Sequence, residues 1–403
     1  MIQDVSLALL LAAIVIVIGS LGSYLFRRTG IPDMLFLVFL GVLFGPVLGF
    51  IRLADISPLA PYLAVLALII ILLDGGMSLS LRHVIKESPR AIALAIVAFF
   101  LSVTAIALFA KLTLGLRWSD GLLLGSILGG SSSIVVVTLV PKMRISDKCS
   151  TTLVLESAIT DVLCIVAALT LIGVMSSGLP TTDALMRVVI SRFSTGALLG
   201  VVFGFIWLGG LSRMKNEPYR YMLTLAVLFL VYLASEYLGG SGALSVLILG
   251  IVLGNEEEIS SFLHKSERPV VLDESFKKLE SEIAFLVKTF FFVYLGLIVS
   301  FPNIFLVAYG LTISLLLLLV RYVAVGIVTL MSSLRREKEL MNVVYARGLA
   351  AAVLAVLPQQ MGLSRADIYI PVTLTVILST AIITTLGVSY FSSKARADVH
   401  SQA

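Results

Sequence analysis

Gly130-Ser131-Ser132-Ser133 opens a segment that runs through the apolar residues Ile134-Val135-Val136-Val137-Thr138-Leu139-Val140 and stops at Pro141. The same plan returns 217 residues later. There Arg347-Gly348-Leu349-Ala350 leads through Ala351-Ala352-Val353-Leu354-Ala355-Val356-Leu357 to Pro358. A second echo pairs Leu40-Gly41-Val42-Leu43-Phe44-Gly45 with Leu249-Gly250-Ile251-Val252-Leu253-Gly254, an offset of 209. Two echoes at similar offsets mark an internal duplication.

Around these segments the sequence is apolar along its whole length. Of 403 residues 59% are hydrophobic and only 13% charged, about half the ~25% charged share of a soluble domain, and the mean hydropathy is +1.08. Runs of about 20 apolar residues suit helices that cross roughly 30 Å of hydrocarbon; a β-barrel would alternate in short segments. Breaks at charges, Pro and Gly predict thirteen spans, near 5–26, 32–50, 59–80, 90–115, 119–141, 149–175, 187–210, 219–238, 242–255, 279–300, 303–333, 339–360 and 368–391. The echoes join span 2 to 9 and span 5 to 12. Seven is odd, so matched helices run in opposite directions. The fold class expected is an all-α polytopic membrane protein with two inverted six-helix repeats and discontinuous crossing helices in spans 5 and 12, the pattern of inverted-repeat secondary transporters. Residues 1–403 then form one transmembrane domain: a first repeat at 1–175, a linker helix at 187–210, a second repeat at 219–391 and a short tail at 392–403.

The formal net charge of +5 does not signal nucleic acid, because the basic residues form no continuous patch. They sit in short loops. Arg27, Arg28, Arg82, Lys86, Lys142, Arg144, Lys148, Arg213, Lys215, Lys265, Arg268, Arg335, Arg336, Lys394 and Arg396 are among those that follow odd-numbered spans, whereas the opposite loops and helix margins hold Arg52, Lys111, Arg117, Arg187, Arg192 and Arg365. The positive-inside rule puts the C-terminus in the cytoplasm and the N-terminus outside a cell membrane. The first apolar run is too long for a signal-peptide core and reads as a retained span, and no appended soluble domain is expected. Cys149 and Cys164, 15 residues apart on one helix, are beyond disulfide reach and read as packing residues.

Chemistry concentrates in span 6, Leu155-Glu156-Ser157-Ala158-Ile159-Thr160-Asp161-Val162. A carboxylate at membrane depth costs several kcal/mol if left charged and alone, so both acids are functional candidates. Ser157 and Asp161 share a face, as do Glu156 and Thr160, while Glu156 and Asp161 point about 140° apart. One reading gives Asp161, with Ser157, a water-filled cavity and gives Glu156 a buried cation, Arg321 of span 11. The other makes all of them interhelical glue, with Asp161 paired to Lys288, although Lys288 also has the option of snorkelling from its helix. The Gly129-Gly130 break offers Ser131, Ser132 and freed carbonyls as oxygen ligands for a hard monovalent cation, or else permits close helix packing. Arg347, at the matching place in span 12, supplies a fixed charge against half-helix C-terminal dipoles. Asp74 collects cations at a cytoplasmic funnel or anchors a loop. His83 and His264 fall in loops, as pH sensors or as ordinary solvated side chains.

Other classes find less support. A channel or pore also needs polar residues at depth and stands as the alternative. There is no His-Glu-x-x-His or Gly-x-Ser-x-Gly for an intramembrane enzyme, no Gly-x-x-x-x-Gly-Lys-Ser/Thr loop for ATP, and a retinal protein built on Lys288 would have seven helices rather than thirteen. No cofactor is called for, and an ion gradient is the energy source.

Leu73-Asp74-Gly75-Gly76-Met77, Glu156-Ser157-x-x-Thr160-Asp161, Arg321 and Arg347-Gly348 together resemble the cation:proton antiporter superfamily, in particular its sodium–hydrogen exchanger and NhaP-type branch. The resemblance implies that Asp161 alternately carries a proton and a cation, that Glu156 pairs with Arg321, that Ser157 helps coordinate the ion, and that the protein is a homodimer working by elevator-like motion. Thr160 stands where this branch usually has Asn, and Ser132-Ser133 replaces its usual Asp-Pro. A single exchanging carboxylate argues for electroneutral exchange. The serine-rich break resembles the potassium-efflux branch, which leaves Na⁺ and K⁺ both open.

Overall fold

In the computed structural model, residues 2–29, 31–50, 60–78, 89–140, 143, 145–177, 182–214, 219–256, 258–259, 274–298, 304–330 and 332–400 are described. His83, His264 and the loop cations Arg52, Arg82, Lys86, Lys142, Arg144, Lys215, Lys265 and Arg268 lie outside them. The described residues are predominantly helical, in the order α1 (Ile2–Thr29), α2 (Asp33–Val42), α3 (Ala60–Ser78), α4 (Pro89–Leu114), α5 (Trp118–Leu128), α6 (Ser133–Leu139), α7 (Asp147–Ser177), α8 (Thr182–Arg213), α9 (Arg220–Tyr237), α10 (Gly242–Gly254), α11 (Glu274–Ile298), α12 (Ile304–Thr329), α13 (Lys338–Val343), α14 (Leu349–Gln360) and α15 (Tyr369–His400). Among the described residues, eight spans are long and apolar enough to cross a membrane. Shorter apolar helices at Ala12–Phe26, Asp33–Val47, Tyr62–Met77, Gly242–Gly254 and Leu349–Gln360 stand where the remaining spans are predicted.

Two local departures have plain causes. Span 2 ends in a widened π turn, Leu43–Val47, around Pro46; a proline has no N–H to give and its ring crowds the carbonyl four residues back, which a wider turn relieves. The last helix does not stop near 391 but continues to His400: Ser392-Ser393-Lys394-Ala395-Arg396-Ala397 contains no helix breaker.

The chain divides into two compact units, one of Met1–Ala64, Arg90–Ile165 and Leu286–Ala403, the other of Val65–Pro89 and Val166–Phe285. The division cuts across the repeat, since each unit draws helices from both halves. In the first, α1 packs on α2, α13 on α12 and α15, and α14 against α5 and α15. In the second, α8 lies along α10, and α9 touches both.

Lipid gives helices no hydrophobic reason to associate, so close backbone approach at small residues matters. In the first unit Gly41 of α2 meets Gly296 of α11: a Cβ on Gly41 would lie 2.8 Å from the Gly296 Cα and strike the Val293 carbonyl. In the second unit Gly250 of α10 meets Gly76 of α3 in the same way, a Gly76 Cβ falling 3.0 Å from the Gly250 Cα. Gly41 and Gly250 are equivalent positions of the second echo. A contact of span 2 with span 10 becomes, under a shift of seven spans, a contact of span 9 with span 3, which is the pair observed.

Candidate functional site

Both crossing segments are broken, and the breaks meet. Gly129 to Ser132 separates α5 from α6, and Val344 to Gly348 separates α13 from α14. Unwound backbone in a membrane needs partners from protein. The Ser132 amide donates to the Ala346 carbonyl at 2.8 Å, the Arg347 amide to Thr380 Oγ1 at 3.0 Å, and the Tyr345 amide to Thr384 Oγ1 at 3.4 Å. Gly348 allows the approach: a Cβ there would lie 2.6 Å from Ser132 Cβ and closer still to its Oγ. Thr380 and Thr384 escape a reading of the sequence, although two threonines one turn apart in an apolar span are the available signal.

Helix α7 lies against these breaks. Gly130 has room for no side chain, because a Cβ would meet the Thr160 carbonyl and Cys164 Sγ, each at 2.8 Å. Both cysteines are free and buried. Glu156 is 1% exposed. Its two oxygens accept from Arg321 Nη1 at 3.0 Å and Nη2 at 3.2 Å, and Oε1 also accepts from Ser131 Oγ at 2.9 Å. The guanidinium completes its bonding by donating Nε to the Met341 carbonyl at 3.0 Å. Arg347 donates Nη1 to the Tyr345 carbonyl at 3.1 Å. Arg321 thus sits on a carbonyl in the last turn of α13, where the helix dipole favours a cation, and Arg347 on a carbonyl of the break that follows it. Arg347 Nε has no acceptor among the described residues.

The other face of α7 differs. Asp161, partly exposed, accepts the Ser133 amide on Oδ2 at 3.3 Å, so this carboxylate stands at the first turn of α6. Thr160 accepts the Ser131 amide at 3.2 Å and donates to the Ser157 carbonyl at 3.1 Å. Ser157, on the Asp161 face by spacing, is fully buried and turns its hydroxyl back to the Val154 carbonyl at 2.9 Å, a common habit of serine within helices.

Lys288 gives its ammonium to Asp33 Oδ2 at 2.6 Å, both side chains being largely buried, a partner that neither sequence alternative named. The Gly41–Gly296 contact brings α2 and α11 together on the same two helices that carry this pair. Asp33 goes unnoticed in the sequence because an acid in a helix's first turn reads as an ordinary dipole partner. The pair lines a small cleft that Ser132 and Gly348 also line. Asp74 is in the second unit and exposed. Among the described residues no group of three or more His, Cys, Asp or Glu side chains could hold a metal ion as a cluster.

The transmembrane model of the sodium/hydrogen exchanger family matches residues 11–394. The chain belongs to the sodium/hydrogen exchanger family. Among members, a "K(+)/H(+) antiporter NhaP2" of Shewanella sp. (strain MR-4) is 28% identical over 386 residues, covering 93% of this chain and 64% of its own length. A "Na(+)/H(+) antiporter ApNhaP" of Aphanothece halophytica is 28% identical over 277 residues, covering 68% of this chain and 50% of its own. This exchanger-family chain thus spans less than two thirds of the length of those relatives. The solved structure of the sodium proton antiporter MjNhaP1 from Methanocaldococcus jannaschii shares the fold, with a TM-score of 0.77 at 21% identity over 97% of this chain and 99% of that one.

Proposed function

We propose that the protein is a secondary-active monovalent cation/proton antiporter of the cell membrane, in which H⁺ and Na⁺ or K⁺ compete for Asp161 by alternating access. The observation that carries this is the Asp161 carboxylate on α7, partly exposed and set against the broken segment at the Ser133 amide, in a chain whose relatives are named K⁺/H⁺ and Na⁺/H⁺ antiporters. A bare carboxylate carries a desolvation penalty on crossing lipid, which either ligand relieves by neutralising it. The protonated acid releases its proton to water on one side, the carboxylate takes one cation in its place, and the reverse swap follows on the other side. One proton then moves per cation, and exchange is electroneutral. The serine hydroxyls and freed carbonyls of the 129–132 break, with the Thr160 hydroxyl of α7, suit a hard cation. Glu156, Arg321 and Arg347 serve as the fixed framework.

In this reading the protein is not an enzyme and uses no cofactor. It works as a homodimer, with its N-terminus outside and its C-terminus in the cytoplasm. The test is proteoliposomes holding a trapped pH dye, given a proton gradient and then Na⁺, K⁺ or Li⁺. Cation-dependent dissipation that disappears in Asp161→Asn supports exchange at this carboxylate and names the ion. No cation-dependent proton movement between pH 6 and 9, or an unaltered Asp161→Asn, overturns it, and single-channel currents would point to a pore.

A further inference from the structure

The cleft beside the crossing segments carries two charges that the mechanism above does not use. Asp33 begins α2, and Lys288 lies in the middle of α11. Gly41 lies eight residues beyond Asp33, and Gly296 eight beyond Lys288, so the glycine contact and the ion pair are in register along two parallel helices. The glycine contact thus lies about two turns from the ion pair on both helices. Ser132 and Gly348 line the same cleft, and the amide of the residue after Ser132 is the one that Asp161 accepts. An ion in this cleft is therefore next to the crossing segments and in the field of both charges, in surroundings where water screens poorly.

We propose that Asp33 and Lys288 set the charge of this cleft and with it the affinity for the monovalent cation that reaches the crossing segments, an inference that rests on the antiporter reading. Lys288 acts as a tethered competitor. Its ammonium occupies the Asp33 carboxylate that an arriving cation would otherwise meet. Neutralising one member leaves the other uncompensated, and the two single variants must then push cation affinity in opposite directions. A purely structural ion pair has no such sign: losing either half would lower the yield or the maximal rate.

The experiment measures initial rates of cation-dependent proton movement in proteoliposomes of the full chain, against Na⁺ and K⁺ concentration. Asp33→Asn should raise the apparent KM about tenfold and Lys288→Gln should lower it about as much, with maximal rates within roughly twofold of the parent. The double variant D33N/K288Q should return close to the parent KM, and Lys288→Arg, which keeps the charge, should match it. Should Asp33→Asn fail to fold, Lys288→Gln and the double variant still give the sign. KM shifts in the same direction for both single changes, or a fall in maximal rate with KM unchanged, overturn the inference while leaving antiport intact. A parent protein without cation-dependent proton movement overturns the antiporter reading itself, and this inference with it.

Discussion

Glu156 and Asp161 lie five residues apart on one helix and live in different chemistry. Glu156 is sealed, with Arg321 engaging both its oxygens and Ser131 adding a third bond. Asp161 is partly exposed and accepts a long backbone bond of 3.3 Å. A buried ion pair is not itself a large source of stability, because desolvation offsets most of the attraction, but removing one member strands the other at a cost of about 3–5 kcal/mol. A partly exposed carboxylate can change ligands without unfolding anything. About 1.4 helical turns thus separate two residues of the same chemistry into a sealed, fully bonded carboxylate and a partly exposed one, which the proposed function reads as framework and exchanging group.

The sharpest way to break that distinction is Asp161→Asn, which should abolish cation-dependent proton movement while the melting temperature in detergent stays within a few degrees of the parent. Arg321→Ala should do the reverse in kind, destabilising the protein by about 3–5 kcal/mol through the stranded Glu156. It reads out as lost folded yield and a lower melting temperature, and Glu156→Gln in the same chain should recover part of both. Gly41→Ala, in the α2–α11 contact that supports neither carboxylate directly, should lower stability by about 1–3 kcal/mol through backbone overlap; Gly75→Ala, where a Cβ meets nothing within 4 Å, should leave the melting curve unchanged. Ser131→Ala removes one of three bonds to Glu156 and should cost about 1 kcal/mol by the same measurement. Because the Arg321 pair remains, the fold should persist.

The helical plan is legible in the sequence because membrane spans are written in composition, and lipid enforces that rule segment by segment. The break at Gly129-Gly130 is equally plain, since those residues are poor helix formers. The break that begins at Val344-Tyr345 is not plain in the same sense: Asn342-Val343-Val344-Tyr345-Ala346-Arg347 contains nothing that forbids a helix, and only its echo of span 5 marks it. Spacing puts Ser157 and Asp161 on one face, but a rotamer decides whether a hydroxyl looks outward or back, and spacing does not carry rotamers. The Asp33–Lys288 pair joins residues 255 positions apart, on two helices that approach closely at glycines about two turns away. Side-chain pairs of that kind exist only once the backbone has been packed.

The tight fit at Gly348 also limits how such a sequence can drift. A methyl group at position 348 would meet both the hydroxyl and the Cβ of Ser132, so exchanging Ser132 for alanine would not make room, whereas glycine would. The two positions behave as linked letters in a spelling rule. A lineage that enlarges one must first shrink the other, and the viable route between the two spellings passes through an intermediate with glycine at both.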